Sequence, residues 1–362
     1  MTSDFYTLTI SEVTELTRES IAISFNVPDQ LIKVFQFIQG QYLTLSMMIE
    51  GEEVRRCYSI CCDVNKQTLQ VGIKRVLDGV FSNYAMENFK VGMPIEVMVP
   101  QGNFYTELAE NNQKHYLCIA AGSGITPILS QISSILSTEK NSSVSLIFSN
   151  KSTALMMFRE KLSFIKNQYL NRFEWINLFT NEQHEADIFN GRISANKLAA
   201  LNEKHLIAFD DINDVFVCGP EELLENITPF LESKGLTDNN IHYELFFSDS
   251  AEHKSKEKQQ QREATFGDEA SRVTVTLSGR QTSFSLPFKG QNILDAALYE
   301  GADLPFSCKA GVCSTCKAQL IKGEVEMDQN HSLTDEEVAD GMILTCQSHP
   351  LSGEVDIDFD VV

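Results

Sequence analysis

Cys308, Cys313 and Cys316 are spaced C-x4-C-x2-C, and Cys346 lies thirty residues beyond Cys316. That spacing suits four thiolates holding a [2Fe-2S] cluster, two per iron. Gly311, with the small neighbours Ala310, Ser314 and Thr315, lets backbone N–H groups approach the cluster sulfurs and stabilise its charge. Zinc is the alternative ligand for four cysteines. Structural zinc usually takes two C-x2-4-C pairs, however, and Cys346 has no such companion. Nine cysteines is an odd number. The first residues carry no basic stretch followed by an apolar run, so the expectation is a cytoplasmic chain whose cysteines serve a metal or redox role, not a disulfide framework. Cys57, Cys61, Cys62, Cys118 and Cys218 lie in apolar surroundings and read as small buried hydrophobes, with no metal-ligand role.

The chain has 362 residues, enough for two to three domains. Residues 1–109 hold short alternating runs such as Tyr6 to Ile10, Ile21 to Phe25, Tyr42 to Ser46 and Val71 to Val76, with turn signals at Asp78-Gly79 and Pro100-Gln101-Gly102. This is the pattern of a small antiparallel β-barrel. From residue 110 the period changes. Tyr116 to Ala121 reads as a buried strand, Gly122-Ser123-Gly124 as a turn, and Ile128, Leu129, Ile132, Ile135 and Leu136 as one helical face. Further apolar strands at Val144 to Phe148, Phe173 to Leu178 and Val215 to Cys218 alternate with helical stretches at Leu155 to Ile165 and Leu223 to Lys234. Residues 110–247 are therefore expected to form an α/β domain with a parallel sheet. Residues 248–270, with Glu252, Lys254, Lys256, Lys258 and three consecutive glutamines, read as a linker. Residues 271–362 open with a hairpin, Val273-Val275-Leu277 and Phe284-Leu286-Phe288, followed by a helix from Ile293.

Several short motifs carry chemistry. Arg56-Cys57-Tyr58-Ser59 sets a planar guanidinium, an aromatic face and a hydroxyl along one strand, which suits a phosphate and the edge of a flat heterocycle. Taken alone it is also an ordinary half-exposed strand. Gly79 and Ser82, ahead of a helix, offer a hydroxyl and free N–H groups to a diphosphate. Gly122-Ser123-Gly124-Ile125-Thr126-Pro127 joins strand to helix and presents N–H donors to an anion, without the third glycine of G-x-G-x-x-G. Cys218-Gly219-Pro220 follows a later strand. Both lie where α/β sheets bind nucleotides.

With these residues in view, the chain resembles the ferredoxin-NADP reductase family, with a plant-type ferredoxin fused behind it. The resemblance implies a flavin-binding antiparallel β-barrel, a parallel α/β nicotinamide domain and an α+β domain of β-grasp ferredoxin type. It assigns Arg56 to the pyrophosphate of FAD, Tyr58 to the isoalloxazine, Ser59 to its reactive nitrogen, and Gly79 and Ser82 to the diphosphate. Lys74 is a candidate flavin contact or an ordinary solvated lysine. Gly122, Ser123, Gly124 and Thr126 would take the nicotinamide dinucleotide, with Cys218, Gly219 and Pro220 beside the nicotinamide. Lys151 and Arg159 would meet the 2′-phosphate of NADPH; close relatives tend to have arginine at the Lys151 position, which leaves NADPH against NADH open. Glu244 and Phe246 match the family's E-x-F terminus near the flavin.

No side chain is assigned as a catalytic acid, base or nucleophile. The segments Arg55 to Cys61, Val97 to Gly102, Ala120 to Pro127, Met156 to Arg159 and Ile293 to Leu298 are most similar to the reductases of ring 1,2-epoxidase complexes acting on phenylacetyl-CoA. That similarity implies electron flow from NADPH through FAD and the [2Fe-2S] cluster to a di-iron oxygenase. A reductase for another oxygenase, a hydroxylase or a hybrid-cluster protein shares every motif, and a redox-sensing iron-sulfur flavoprotein is the non-enzymatic alternative. The net charge of −21 disfavours nucleic acid and anionic membranes as partners. Residues 271–362 hold six basic and fourteen acidic side chains, a face for a basic partner or a means to solubility.

Overall fold

The computed structural model describes residues 5–66, 68–237, 239–246, 262 and 269–361. The chain folds as two compact units, divided after Phe246.

The first unit begins with β1 (Phe5–Thr17), β2 (Ser20–Asn26), β3 (Tyr42–Ile49), β4 (Glu52–Ser59), β5 (Leu69–Lys74) and β6 (Pro94–Met98). They form one antiparallel sheet in the order β4-β3-β6-β1-β2-β5. Ile60, just past β4, bridges Val71 of β5, so the two edge strands meet and the sheet closes as a barrel. Alternation turns Leu8, Ile10, Ile23, Leu43, Leu45, Val71, Ile73 and Val97 inward. Helix α1 (Val80–Asn88) adds Phe81 and Ala85, one turn apart, to that core.

The same unit continues through β7 (His115–Ala121), α2 (Ile125–Thr138), β8 (Ser143–Asn150), α3 (Arg159–Gln168), β9 (Phe173–Phe179), α4 (Ala195–Glu203), β10 (Asp214–Gly219), α5 (Glu221–Ser233) and β11 (Ile241–Leu245). These strands form a parallel sheet in the order β11-β10-β7-β8-β9. Cys118, Ala120, Leu146 and Phe148 pack into one face, and Leu117, Ile119, Ile147 and Val215 into the other. Both faces are covered, as parallel sheets require.

Helix α2 does more than its apolar stripe announces. Its serines and a glutamine fasten it to barrel loops. Ser130 Oγ donates to the Cys62 carbonyl at 2.7 Å, Gln131 Nε2 to the Phe104 carbonyl at 2.5 Å, and Ser137 Oγ to Asp63 Oδ1 at 2.9 Å. Ser134 Oγ accepts from Val64 N–H at 3.1 Å. These bonds set the parallel sheet against the barrel.

Several sequence-based bounds shift, and two of the shifts bear on the site. β8 runs on to Asn150, past the expected end at Phe148. The helix expected from Leu155 starts only at Arg159, because Phe158 takes a left-handed conformation with φ 57° and buries its ring. A Cβ at Gly72 of β5 would lie 3.0 Å from that ring, so the glycine makes the room.

The second unit contains β12 (Ala270–Leu277), β13 (Arg280–Pro287), α6 (Ile293–Tyr299), β14 (Lys317–Lys322), β15 (Val325–Met327), α7 (Asp335–Ala339), β16 (Met342–Leu344), β17 (Ser348–Pro350) and β18 (Glu354–Asp358). A mixed sheet in the order β13-β12-β18-β14-β16 has β12 and β18 parallel, and β15 pairs with β17. Ser278 and Gly279, both at positive φ, make the two-residue turn between β12 and β13, and Asp360 accepts both of their N–H groups at 2.6 and 2.7 Å. Asn292 caps α6, which buries Ile293, Leu294, Ala296 and Ala297 against the sheet.

Most of the linker expected at 248–270 lies outside the described residues. Arg262, within it, is 3% exposed and ion-pairs with Asp328 at 2.6 Å and Glu326 at 2.9 Å. A polar run gives no signal for that burial.

Candidate functional site

The order of the parallel sheet reverses between β7 and β10, and nucleotides bind at the carboxyl end of such a switch point. The chain places its two glycine turns there. Gly122, at φ 55°, and Gly124 follow β7, while Gly219 and Pro220 close β10. A methyl group on Gly124 would strike the Cys218 carbonyl oxygen well inside van der Waals contact, so the turn needs glycine to lie against β10. Thr126 is buried, and its Oγ donates to the Ser123 carbonyl at 3.0 Å, holding the turn's shape.

The barrel brings Ser59 to the same place. Ser59 is the last residue of β4, and its Oγ donates to Glu244 Oε2 at 3.0 Å across 185 residues of sequence. Cys218 Sγ lies 4.0 Å from that same oxygen. Desolvation pushes the Glu244 carboxyl up to about 7, against the lowering effect of Ser59. Burial, with Glu244 beside it, pushes the Cys218 thiol well up, so this cysteine is a neutral thiol and not a reactive thiolate. Phe246 is partly buried against the core cluster that contains Cys218, and its N–H donates to the Gly219 carbonyl at 3.1 Å.

Arg56 and Tyr58 alternate with Cys57 along β4, on one face of the strand. Tyr58 lies 5.6 Å from Phe81 of α1, ring centre to ring centre, and burial pushes its phenol up. Arg56 is exposed, with Nη1 donating to the Arg55 carbonyl at 2.7 Å. At the start of α1, a Cβ on Gly79 would meet Ser82 Oγ and Val76 Cβ, both at 2.9 Å. Ser82 Oγ accepts from Val76 N–H at 3.1 Å and keeps its own proton to donate. A glycine turn, an exposed guanidinium and an aromatic face fit a flavin dinucleotide laid along β4 and α1.

Lys74, at the end of β5, reaches the other glycine turn. Its Nζ lies 3.4 Å from where a Cβ of Gly122 would be. Burial and the nearby Lys151 hold its ammonium below the usual range. Lys74 therefore lies with Lys151 at the nucleotide turn. Among the described residues nothing bonds the buried side-chain nitrogen of Asn150, at the end of β8. An orphaned donor one residue before Lys151 fits an anionic nucleotide. Arg159 is exposed at the start of α3, near the Glu182 carboxylate. Glu182 and Thr153 belong to no motif, so reasoning from sequence passes over them; the structure joins them.

In the second unit, the cluster loop carries Lys309, Gly311 and Ser314 at positive φ. That winding turns backbone donors toward sulfur: Ala310 N–H donates to Cys308 Sγ at 3.3 Å and Cys308 N–H to Cys313 Sγ at 3.5 Å. Gln347 Nε2 lies 3.8 Å from Cys346 Sγ. The four thiols fall into two contacting pairs, Cys308 with Cys313 and Cys316 with Cys346. Two pairs with N–H donors around them fit two irons. Cys57 is half-buried, and Cys61, Cys62 and Cys118 are buried. Burial pushes the thiols of Cys61, Cys62 and Cys118 up.

Residues 7–105 match the oxidoreductase FAD-binding domain, residues 118–228 the oxidoreductase NAD-binding domain and residues 275–351 the 2Fe-2S iron-sulfur cluster binding domain. The chain is 40% identical to one of the subunits of the 1,2-phenylacetyl-CoA epoxidase of Escherichia coli (strain K12), over 98% of each chain. It is 30% identical to the ferredoxin reductase component of 3-ketosteroid-9-alpha-monooxygenase of Rhodococcus rhodochrous, over 97% of this chain and 96% of that one. In fold it is similar to phthalate dioxygenase reductase, with a TM-score of 0.63 at 21% identity, covering 99% of this chain and 100% of that one.

Proposed function

For a chain that belongs to the family of flavin- and iron-sulfur-containing reductase components of oxygenases, we propose electron delivery from NADPH to a di-iron oxygenase acting on phenylacetyl-CoA. In this reading residues 1–109 hold FAD, residues 110–247 hold the nicotinamide nucleotide and residues 271–362 hold the [2Fe-2S] cluster. The chain is an oxidoreductase. Bound FAD accepts electrons in pairs, as hydride, and releases them singly to a cluster that carries one at a time.

The protein's part is placement. Arg56 and the Gly79 turn would hold the FAD diphosphate, and Tyr58 would offer its aromatic face to the isoalloxazine. The Gly122–Gly124 turn and Lys74 take the dinucleotide pyrophosphate, while Lys151 and Arg159 supply positive charge for the 2′-phosphate. Ser59, Cys218 and Glu244 line the place where nicotinamide meets flavin. With a carboxyl balanced near neutral pH, Glu244 holds a proton at Oε2 or accepts the Ser59 hydroxyl as a carboxylate. Phe246 covers the site from water. Cys308, Cys313, Cys316 and Cys346 ligate the irons. Among the described residues no helix is long and apolar enough to cross a membrane. This reading places the protein in the cytoplasm.

The observation that carries this reading is the hydrogen bond from Ser59 of the barrel to Glu244 of the parallel sheet, which sets the flavin motif against the nicotinamide motif. The test is NADPH oxidation by the purified protein, first with ferricyanide and then with candidate di-iron oxygenases and their acyl-CoA thioesters. Turnover with ferricyanide but with none of the thioester oxygenases would move the acceptor elsewhere. A lack of turnover with ferricyanide would leave a sensor.

A further inference from the structure

The carboxyl end of the parallel sheet carries one acidic side chain whose position the proposed reaction does not use. Beyond the ends of β8 and β9 the ladder continues: Thr180 N–H donates to the Asn150 carbonyl at 3.0 Å and Asn181 N–H to the Lys151 carbonyl at 2.9 Å. These bonds carry Glu182 to Thr153. Glu182 Oε2 accepts the Thr153 N–H at 2.6 Å, and Oε1 accepts the Thr153 hydroxyl at 2.7 Å. His184 Nε2 lies 3.6 Å from Oε1, and its ring stacks on Phe179 with centroids 4.7 Å apart. The two Thr153 hydrogen bonds, with weaker help from His184 and Arg159, hold the carboxyl below its usual range. At neutral pH it is a carboxylate.

In a doubly wound sheet, the strand beside the glycine-turn strand ends where the adenosine ribose lies. Here that strand is β8, and the turn after it contains Lys151 and Thr153. A 2′-phosphate there needs donors and positive charge, whereas a plain ribose hydroxyl is satisfied by a carboxylate acceptor. Glu182 occupies both Thr153 donors and sets a negative charge near Arg159, just past the backbone bond from Asn181 to Lys151.

We propose that Glu182 is a specificity-determining residue that disfavours the 2′-phosphate, holding discrimination for NADPH over NADH below what Lys151 and Arg159 would give without it. The inference rests on the nucleotide site assigned above but not on which nucleotide the native protein prefers.

The test is Glu182→Gln in the full chain, with Glu185→Gln as the control. The control removes one acidic charge three residues away, at an exposed side chain. Calorimetric titration with adenosine 2′,5′-bisphosphate and with 5′-AMP reads the affinity ratio directly. The ratio of kcat/KM for NADPH and NADH, with ferricyanide as acceptor, reads it in turnover. Glu182→Gln is expected to shift both ratios about five- to tenfold toward the 2′-phosphorylated compound, and Glu185→Gln less than about twofold. Ratios unmoved in Glu182→Gln, or moved equally in Glu185→Gln, would overturn the assignment while leaving the nucleotide site standing. Wild-type protein that binds neither adenosine compound would overturn the nucleotide site and this inference with it.

Discussion

The flavin-nicotinamide junction and the cluster loop are built in opposite ways. At the junction, Ser59 and Glu244 stand 185 residues apart in sequence and meet only because a barrel strand and a sheet strand end at one point. In the cluster loop, Cys308, Cys313 and Cys316 are near neighbours in sequence, and a backbone wound by residues at positive φ turns the Cys308 and Ala310 N–H groups toward sulfur. A local site depends on a few backbone angles. A junction depends on the packing of two domains, which here runs through Ser130, Gln131, Ser134 and Ser137 of α2. The two should therefore break separately.

The largest effect is expected from Cys313→Ser. Loss of one of four ligands should abolish the cluster's visible absorption and lower delivery to the oxygenase by at least about 100-fold. Flavin reduction by NADPH, followed by rapid mixing, should stay within about twofold. Loss of flavin reduction in a folded variant would show that the two sites are not independent.

Gly124→Ala acts on the other side of the comparison. Its methyl group meets backbone at Cys218, which cannot rotate away, and overpacking of this kind costs about 1–3 kcal/mol. A misplaced nicotinamide should slow flavin reduction about 100-fold, while iron content and the cluster spectrum remain unchanged. A variant that reduces its flavin normally would show that the turn's approach to β10 is not needed for hydride transfer.

A smaller effect belongs to Glu244→Gln. A carboxyl raised to about 7 in the folded protein contributes stability that is fully present below its unfolded value and is lost as pH rises through 7. Glutamine titrates nowhere in this range. The thermal midpoint of the wild type, relative to the variant, should therefore fall between pH 5 and pH 8, by the equivalent of up to about 2 kcal/mol. The rate of flavin reduction should change across the same interval in the wild type and stay level in the variant. Parallel profiles would remove Glu244 from the proton balance.

The same contrast explains what the sequence disclosed. The 2Fe-2S domain was legible because iron-sulfur chemistry constrains cysteine spacing along the chain. The glycine turns were legible because positive φ and close approach select a residue type, as at Gly122 and Gly124. Barrel and parallel sheet followed from hydrophobic periods of two and from buried runs separated by helical stretches. Side-chain partners across the fold left no such trace. The serines of α2 look like the solvated side of a helix, yet they dock it on the barrel. Phe158 looks like helix interior, yet its ring takes the space left by Gly72 and delays the helix to Arg159. Glu182 looks like an acidic loop residue, and only the extension of the β8–β9 ladder shows that it holds Thr153. Arg262 sits in a polar run and is nevertheless buried between carboxylates of the second unit.

The most direct test of paired electrons entering and single electrons leaving is anaerobic titration of the reconstituted protein with NADPH, followed by electron paramagnetic resonance. Sub-stoichiometric NADPH should produce the signal of a reduced [2Fe-2S] centre in the wild type and none in Cys313→Ser, whose flavin should still bleach. A wild-type cluster that stays oxidised while the flavin is fully reduced would contradict the account.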